Sequence, residues 1–290
     1  MADRGILYLV ATPIGNLEDM TFRAVRVLKE ADLIAAEDTR GSIRLLNHFE
    51  IHTPMTSYHE YNKVAKARTL VDKMLSGQTV ACVTDAGTPG ISDPGEVLVS
   101  MALDAGIQVV PVPGACAAVN ALISSGQATG RFCFEAFLPA EKKERDAVLE
   151  ELKEETRTIV LYEAPHRLEK TLQILLEALD DRSVSICREL TKKHEEIRRT
   201  TIAQALSHCQ VQEPRGEYVL VIAGADRKEL IARKQEAVRS ELPLKEHMQQ
   251  YLDRGMDRKE AMKAVAKERG MTKREVYALL LEEDAGSTDS

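Results

Sequence analysis

A chain of 290 residues that is 44% hydrophobic and 29% charged is globular, with one large core or two to three smaller ones, which excludes disorder, collagen and coiled coil. Its 39 Lys and Arg against 46 Asp and Glu leave a net charge of −7, which excludes a protein that coats nucleic acid through bulk charge. Aromatics are 4% and Trp is absent, so any ring that stacks a single-stranded base has to be one of a few Tyr and Phe.

Residues 1–5 lead into only a short apolar run ended by Thr12-Pro13, which predicts no signal peptide. No apolar stretch approaches the roughly 20 residues of a membrane span. From residue 6 to about 225, short β-rich runs alternate with amphipathic stretches, the pattern of an α/β fold with a largely parallel sheet. Strands are predicted at 6–11, 33–36, 79–83, 108–112, 132–136, 158–162, 183–187 and 218–223. Helices are predicted at 21–30, 60–76, 95–105, 115–125, 141–155 and 167–179. Thr21 reads as a helix start and Ser76-Gly77 as a stop. The small, polar residues 124–130 mark a boundary between an α/β domain at 1–125 and a second at 126–226. Past Asp226 the β pattern ceases. A charged connector at 226–242 precedes helices at 244–253, 258–269 and 272–281, which form an all-helical C-terminal domain at 240–283. Gly270-Met271 joins the last two, and Thr272 with Glu275 three residues on is a capping box, so the module reads as helix-turn-helix-like. Residues 282–290 read as a frayed acidic tail. Five cysteines, Cys82, Cys116, Cys133, Cys187 and Cys209, stand singly, as reduced thiols of a cytoplasmic protein do, and predict no metal.

Three loops that follow predicted strands are rich in Gly, Pro and small residues, and ligands bind at such strand ends. The first, 11–17, is neither a G-x-G-x-x-G nor a Walker loop, so dinucleotide and nucleoside-triphosphate readings lose their main support. A plain strand-to-helix turn explains it equally well. The second, 84–95, holds three glycines, two prolines and two aspartates, more than a turn needs. Prolines preset φ and glycines open the backbone to a ligand. Asp85 suits a ribose hydroxyl or an ammonium, while Asp85 and Asp93 as turn and helix caps are the alternative. The third, 111–120, opens a helix of tiny residues, suited to a flat ligand such as adenine or to close packing on a sheet.

The order T-P-I-G-N-L, E-D-T-R (37–40), D-A-G-T-P-G-I-S-D-P-G, P-V-P-G-A, Y-E-A-P-H-R (162–167) and R-E-L-T-K-K-H-E-E (188–196) closely resembles the tetrapyrrole methylase superfamily. Within it the chain is similar to the branch that 2′-O-methylates a cytidine of bacterial 16S ribosomal RNA in the small subunit. The resemblance covers about residues 5–225, and the helical tail resembles that branch's C-terminal domain. It implies two α/β domains that bind S-adenosylmethionine in a cleft between them, as a homodimer. By motif position it assigns Ile14, Asp85, Gly87, Thr88, Ile91, Ala115 and Cys116 to the cofactor site, closed by Tyr162, Glu163 and Ala164, with Gly216 and Glu217 as further contributors. The first loop departs from the glycine-rich turn of porphyrinoid-modifying members, which weakens the alternative of a porphyrinoid methyltransferase. A helix-turn-helix regulator with a ligand-sensing body is a non-enzyme alternative.

Methyl transfer to a ribose hydroxyl needs positioning and a proton acceptor. Glu37 and Asp38 are candidates to activate or position the 2′-hydroxyl, with Arg40 on a phosphate. Acidic caps at a helix N-terminus are the plainer explanation. His59 is a second candidate base, with Tyr58 or Tyr61 as a stacking ring. His166 with Arg167, and Lys192-Lys193 with Arg198-Arg199, offer basic contacts. Between Leu252 and Arg274 eight basic residues (Arg254, Arg258, Lys259, Lys263, Lys267, Arg269, Lys273, Arg274) face four acidic ones, which predicts phosphate contact there, with Arg258, Lys259, Lys273 and Arg274 foremost.

Overall fold

The computed structural model describes residues 4–286, with the side chains of all but 238–241 and 282–286. Its first sheet contains β1 (Ile6–Val10), β2 (Leu33–Ala36), β3 (Met55–Ser57), β4 (Val80–Val83) and β5 (Gln108–Val112) in the order β3-β2-β4-β1-β5. Every pairing in it is parallel. Parallel neighbours require crossovers, and α1 (Phe22–Glu30), α2 (Thr39–His48), α3 (Lys63–Leu75) and α4 (Gly95–Asp104) supply them on both faces. Strand β4 shows the consequence for sequence. Val80 and Cys82 point into a core with Ala67, Leu70, Met74 and Leu98, while Ala81 and Val83 point into another with Ala24, Val27, Leu28 and Leu46. Buried on both faces, the strand is one unbroken apolar run. Because the strands are parallel, the loops after β1, β2, β4 and β5 all leave from the same edge.

The second sheet contains β6 (Phe132–Ala136), β7 (Thr158–Glu163), β8 (Ser183–Arg188), β9 (Glu196–Thr201) and β10 (Tyr218–Ile222) in the order β6-β7-β10-β8-β9. Only β6 and β7 are parallel, and the other three pairings are antiparallel. The expected parallel pattern therefore holds for the first sheet and fails for the second, where β9, a charged edge strand, follows β8 through a short hairpin connection. Helices α6 (Lys142–Lys153), α7 (Pro165–Leu179) and α8 (Ile202–Val211) cover one face around Ile159, Leu161, Val184, Ile186 and Leu220. The other face receives α5 (Ala117–Ser124), whose Ala118, Ala121 and Leu122 pack on Val160, Val219 and Val221. Alanine lets this helix approach the sheet closely. Helix α5 follows the last strand of the first sheet yet packs on the second, so Met1–Gly224 is one compact unit. The expected division after residue 125 falls inside it, at the end of α5.

The second unit begins at Ala225 and holds α9 (Arg227–Glu241), α10 (Leu244–Asp253), α11 (Arg258–Glu268) and α12 (Lys273–Gly286). Where a connector was expected, α9 is a helix opened by Asp226, whose carboxylate accepts from the N–H groups of Lys228 and Glu229. The others close on Leu244, Met248, Tyr251, Ala261, Val265, Val276 and Leu280. Thr272 and Glu275 make the expected reciprocal bonds of a capping box, at 2.6 and 3.3 Å. Helix α12 continues to Gly286, past the expected end at 281, and residues 287–290 of the expected tail lie outside the described residues. No described helix is long and apolar enough to cross a membrane.

Candidate active site

Between the carboxyl edge of the first sheet and the second sheet lies a cleft of about 580 Å³, within the roughly 300–1,000 Å³ of small-molecule sites. Ile14, Thr84, Asp85, Gly87, Thr88, Ile91 and Cys116 line it from the first half, and Tyr162, Glu163, Ala164, Leu190, Glu217 and Val219 from the second.

Backbone chemistry explains how the loops hold still. Thr12 and Gly87 exchange both N–H···O bonds, at 2.9 and 3.1 Å, which joins the loop after β1 to the loop after β4. Gly87 has φ +87°, and a Cβ there would lie 3.3 Å from Ile14 Cγ2, so a side chain at this position is strained and crowds the cleft wall. Asp93 accepts from the N–H groups of Gly90, Ile91 and Gly95 and so folds the loop on itself. Thr88 Oγ1 donates to the Ala115 carbonyl at 2.9 Å, which ties in the loop after β5. Two further bonds reach the segment after β2. Asp38 N–H donates to Asp85 Oδ1 at 2.9 Å, and Thr84 Oγ1 donates to Glu37 Oε2 at 2.7 Å.

The second sheet and the loops beside it contribute the ring of Tyr162 and the residues Glu163 and Glu217. The Tyr162 ring meets Phe134 and Phe137 edge-on, with centroids 5.0 and 5.7 Å away. Its hydroxyl accepts from the Ala118 N–H at 3.1 Å, at the start of α5. Burial pushes the Tyr162 phenol up to about 12, with the nearby Cys116 adding to it, so it stays neutral at physiological pH and is not a phenolate base. The Glu163 side chain is almost wholly buried, at 1% exposure. Its buried carboxylate accepts from Ala164 N–H and Thr171 Oγ1 and pairs with Arg167 at 3.4 Å, and Arg167 also donates to the Leu138 carbonyl. Lys192 donates to Glu189 and Glu217 at 2.9 and 2.7 Å. Its stem crosses Gly15, where a Cβ would lie 2.3 Å from Lys192 Cγ. That contact accounts for glycine in the first loop and makes Lys192 a strap between the two halves. Gly216 has φ +86°, and a Cβ there would strike Glu189.

Of the residues expected at the cofactor site, Ile14, Asp85, Gly87, Thr88, Ile91, Cys116, Tyr162, Glu163 and Ala164 line one cleft. Ala115 stands one layer back, holding Thr88. Asp38 is a helix cap, accepting from the Arg40 N–H at 2.9 Å, and that bond holds its carboxyl below the usual range. Arg40 is exposed. His59 does not line the cleft. Its Nε2 lies 3.3 Å from Asn62 Nδ2, and its buried Nδ1 has no partner among the described residues. Tyr58 is 1% exposed and donates to the Pro94 carbonyl, so it is core and stacks nothing, whereas Tyr61 is 98% exposed. Sequence reasoning missed Thr84, Phe137, Leu190 and Val219 as wall residues. Among the described residues no cluster of three His, Cys, Asp or Glu is arranged to hold a metal.

In the helical unit Arg258, Lys259, Lys273 and Arg274 are all exposed. Arg269 is not the phosphate contact its place in the basic run suggested. It is 5% exposed, and its guanidinium donates to His247 Nδ1 at 3.0 Å and to the Leu242 carbonyl. With Nδ1 an acceptor, His247 carries its proton on Nε2 and donates to Glu268 at 2.9 Å.

A family model described as Tetrapyrrole (Corrin/Porphyrin) Methylases matches residues 6–206. The chain is 50% identical over 281 residues to a ribosomal RNA small subunit methyltransferase I of Halalkalibacterium halodurans, covering 97% of this chain and 96% of that protein. It is 48% identical to the protein of that name from Bacillus subtilis, covering 95% and 94%. Among solved structures, a diphthine synthase superposes with a TM-score of 0.60 at 14% identity, covering 76% of this chain and 90% of that one. The uroporphyrin-III C-methyltransferase of Thermus thermophilus complexed with S-adenyl homocysteine gives 0.54 at 20% identity, covering 75% and 97%.

Proposed function

The chain belongs to the tetrapyrrole (corrin/porphyrin) methylase family, and on that premise we propose that it is an S-adenosylmethionine-dependent methyltransferase of small-subunit ribosomal RNA. Its target is the 2′-hydroxyl of a cytidine in the 16S molecule, presented in the small subunit, and it works in the cytoplasm as a homodimer. One observation carries the choice of substrate. The porphyrinoid and diphthine neighbours span 75–76% of the chain, whereas the alignments with the rRNA methyltransferases of Halalkalibacterium halodurans and Bacillus subtilis run through 97% and 95% of it at 50% and 48% identity, basic helical tail included.

The cleft fits S-adenosylmethionine. Ile14, Ile91, Leu190, Val219 and the Tyr162 ring offer an apolar slot for a flat base. Asp85, exposed and with one oxygen held by Asp38 N–H, offers an acceptor to a hydroxyl or ammonium. When bound, the cofactor supplies an electrophilic methyl group. The protein's own part is orientation, exclusion of water and removal of a proton. Asp38 is committed to its helix cap and His59 lies outside the cleft. Glu37 also stands behind the cleft wall, but Thr84 is a residue of that wall, and its Oγ1 already donates to Glu37. A substrate hydroxyl that donates to Thr84 is thus joined to a carboxylate through one bond, and the proton moves without a side chain swinging.

Arg258, Lys259, Lys273 and Arg274 grip phosphate in this reading. Replacing all four by Gln flattens the dependence of log K on log salt for 16S rRNA by about 3, since each phosphate neutralised on a single strand accounts for about 0.7 of the slope. Affinity for S-adenosylmethionine stays within about twofold, because these residues lie in the other unit. Titration by filter binding at several salt concentrations checks this, and an unchanged slope removes the tail from the RNA interface.

A further inference from the structure

We infer that the helical unit carries a stacking site for one unpaired nucleotide, floored by Tyr277 and Met262; this rests on the ribosomal RNA reading above. Met262 of α11 and Lys273, Arg274 and Tyr277 of α12 line one shallow hollow of about 270 Å³. Tyr277 is 50% exposed, unlike Tyr251 in the same unit, which is 9% exposed and hydrogen-bonded to Glu268. Tyr277 is therefore not a core ring of the three-helix packing.

Helix geometry repeats the same arrangement on both helices. Lys273 and Arg274 precede Tyr277 by four and three residues, and Arg258 and Lys259 precede Met262 by four and three. At these spacings each pair of cations stands one turn before its apolar residue on the same face. The carboxylates on those turns are directed elsewhere. Glu260 accepts from the Asp257 N–H and Glu275 from the Thr272 N–H, each closing a capping box at the helix start. The hollow thus presents a phenol ring and a polarisable thioether, with exposed cations beside them. This is the chemistry of an unstacked base on an aromatic, with its phosphates on lysine and arginine. An acidic peptide would satisfy the cations and leave the ring unused.

The test uses the full chain and 16S rRNA, comparing wild type with Tyr277→Leu, Tyr277→Phe and the pair Lys273→Gln/Arg274→Gln. Tyr277→Leu keeps an apolar helix former but no ring, and weakens binding about tenfold with the salt slope unchanged. Tyr277→Phe stays within about twofold. The cation pair lowers the slope by about 1.4. Wild-type affinity in Tyr277→Leu, or equal losses in the leucine and phenylalanine variants, overturns the stacking site. Failure of the wild type itself to bind 16S rRNA overturns the ribosomal RNA reading instead.

Discussion

Glu37→Gln lowers the turnover number at least 100-fold while affinity for S-adenosylmethionine stays within about threefold of wild type. Glutamine keeps the volume of glutamate and can still meet Thr84 Oγ1, now 2.7 Å from the carboxylate, but it cannot accept a proton. A ribose hydroxyl is a poor nucleophile while it keeps its proton, and a positioned base contributes about 10²–10⁴-fold. Thr84→Val removes the intervening oxygen at nearly equal volume and produces a loss of similar direction. Asp38→Asn is the matched control. An asparagine still caps α2, so turnover changes little. Single-turnover methyl transfer at saturating cofactor separates these outcomes from binding. Unchanged turnover in Glu37→Gln removes the carboxylate from the chemistry.

Asp85→Ala weakens binding of S-adenosylmethionine about 100-fold. The carboxylate sits at the cleft in a fixed orientation, because Asp38 N–H holds one of its oxygens at 2.9 Å. A charge-assisted hydrogen bond to such a group is worth about 1.5–3 kcal/mol, which corresponds to about 10- to 150-fold in affinity. Asp85→Asn retains an acceptor for Asp38 and loses only the charge, so its loss is nearer tenfold. Isothermal titration with the cofactor measures both. The two replacements therefore divide the site, Glu37 acting on rate and Asp85 on binding. Wild-type affinity in Asp85→Ala contradicts the assignment of the cleft.

The parts legible in the sequence are those whose chemistry is local. Thr21, the Thr272/Glu275 box and the buried run of β4 each announce themselves within a few residues. So do the loops after β1, β4 and β5, because Gly and Pro mark backbone that must bend or be approached. Helices α2, α8 and α9 escaped for different reasons. The first begins inside a charged cluster whose Asp38 is the cap, the second follows β9 without a break, the last strand residue Thr201 being its cap, and the third is so highly charged that it reads as a linker. Strand β9 is a charged edge, without the apolar alternation that marks a half-buried strand. What no local pattern carries is pairing across the chain. Gly15 is glycine because Lys192 crosses it, α5 is alanine-rich because it packs on the other sheet, and Arg269 is buried because His247 and Leu242 receive it. Glu37, Asp38 and Arg40 are visible as a cluster, but only the bonds that Glu37 accepts from Thr84 Oγ1 and Asp38 accepts from the Arg40 N–H separate a candidate base from a helix cap.

Incubation of the protein with methyl-labelled S-adenosylmethionine and, in separate tubes, small ribosomal subunits, naked 16S rRNA, uroporphyrinogen and duplex DNA identifies the methyl acceptor. Label is expected in 16S rRNA, released by alkali within a dinucleotide that resists cleavage because its cytidine carries a 2′-O-methyl group. Label in uroporphyrinogen, with none in RNA, overturns the ribosomal RNA reading.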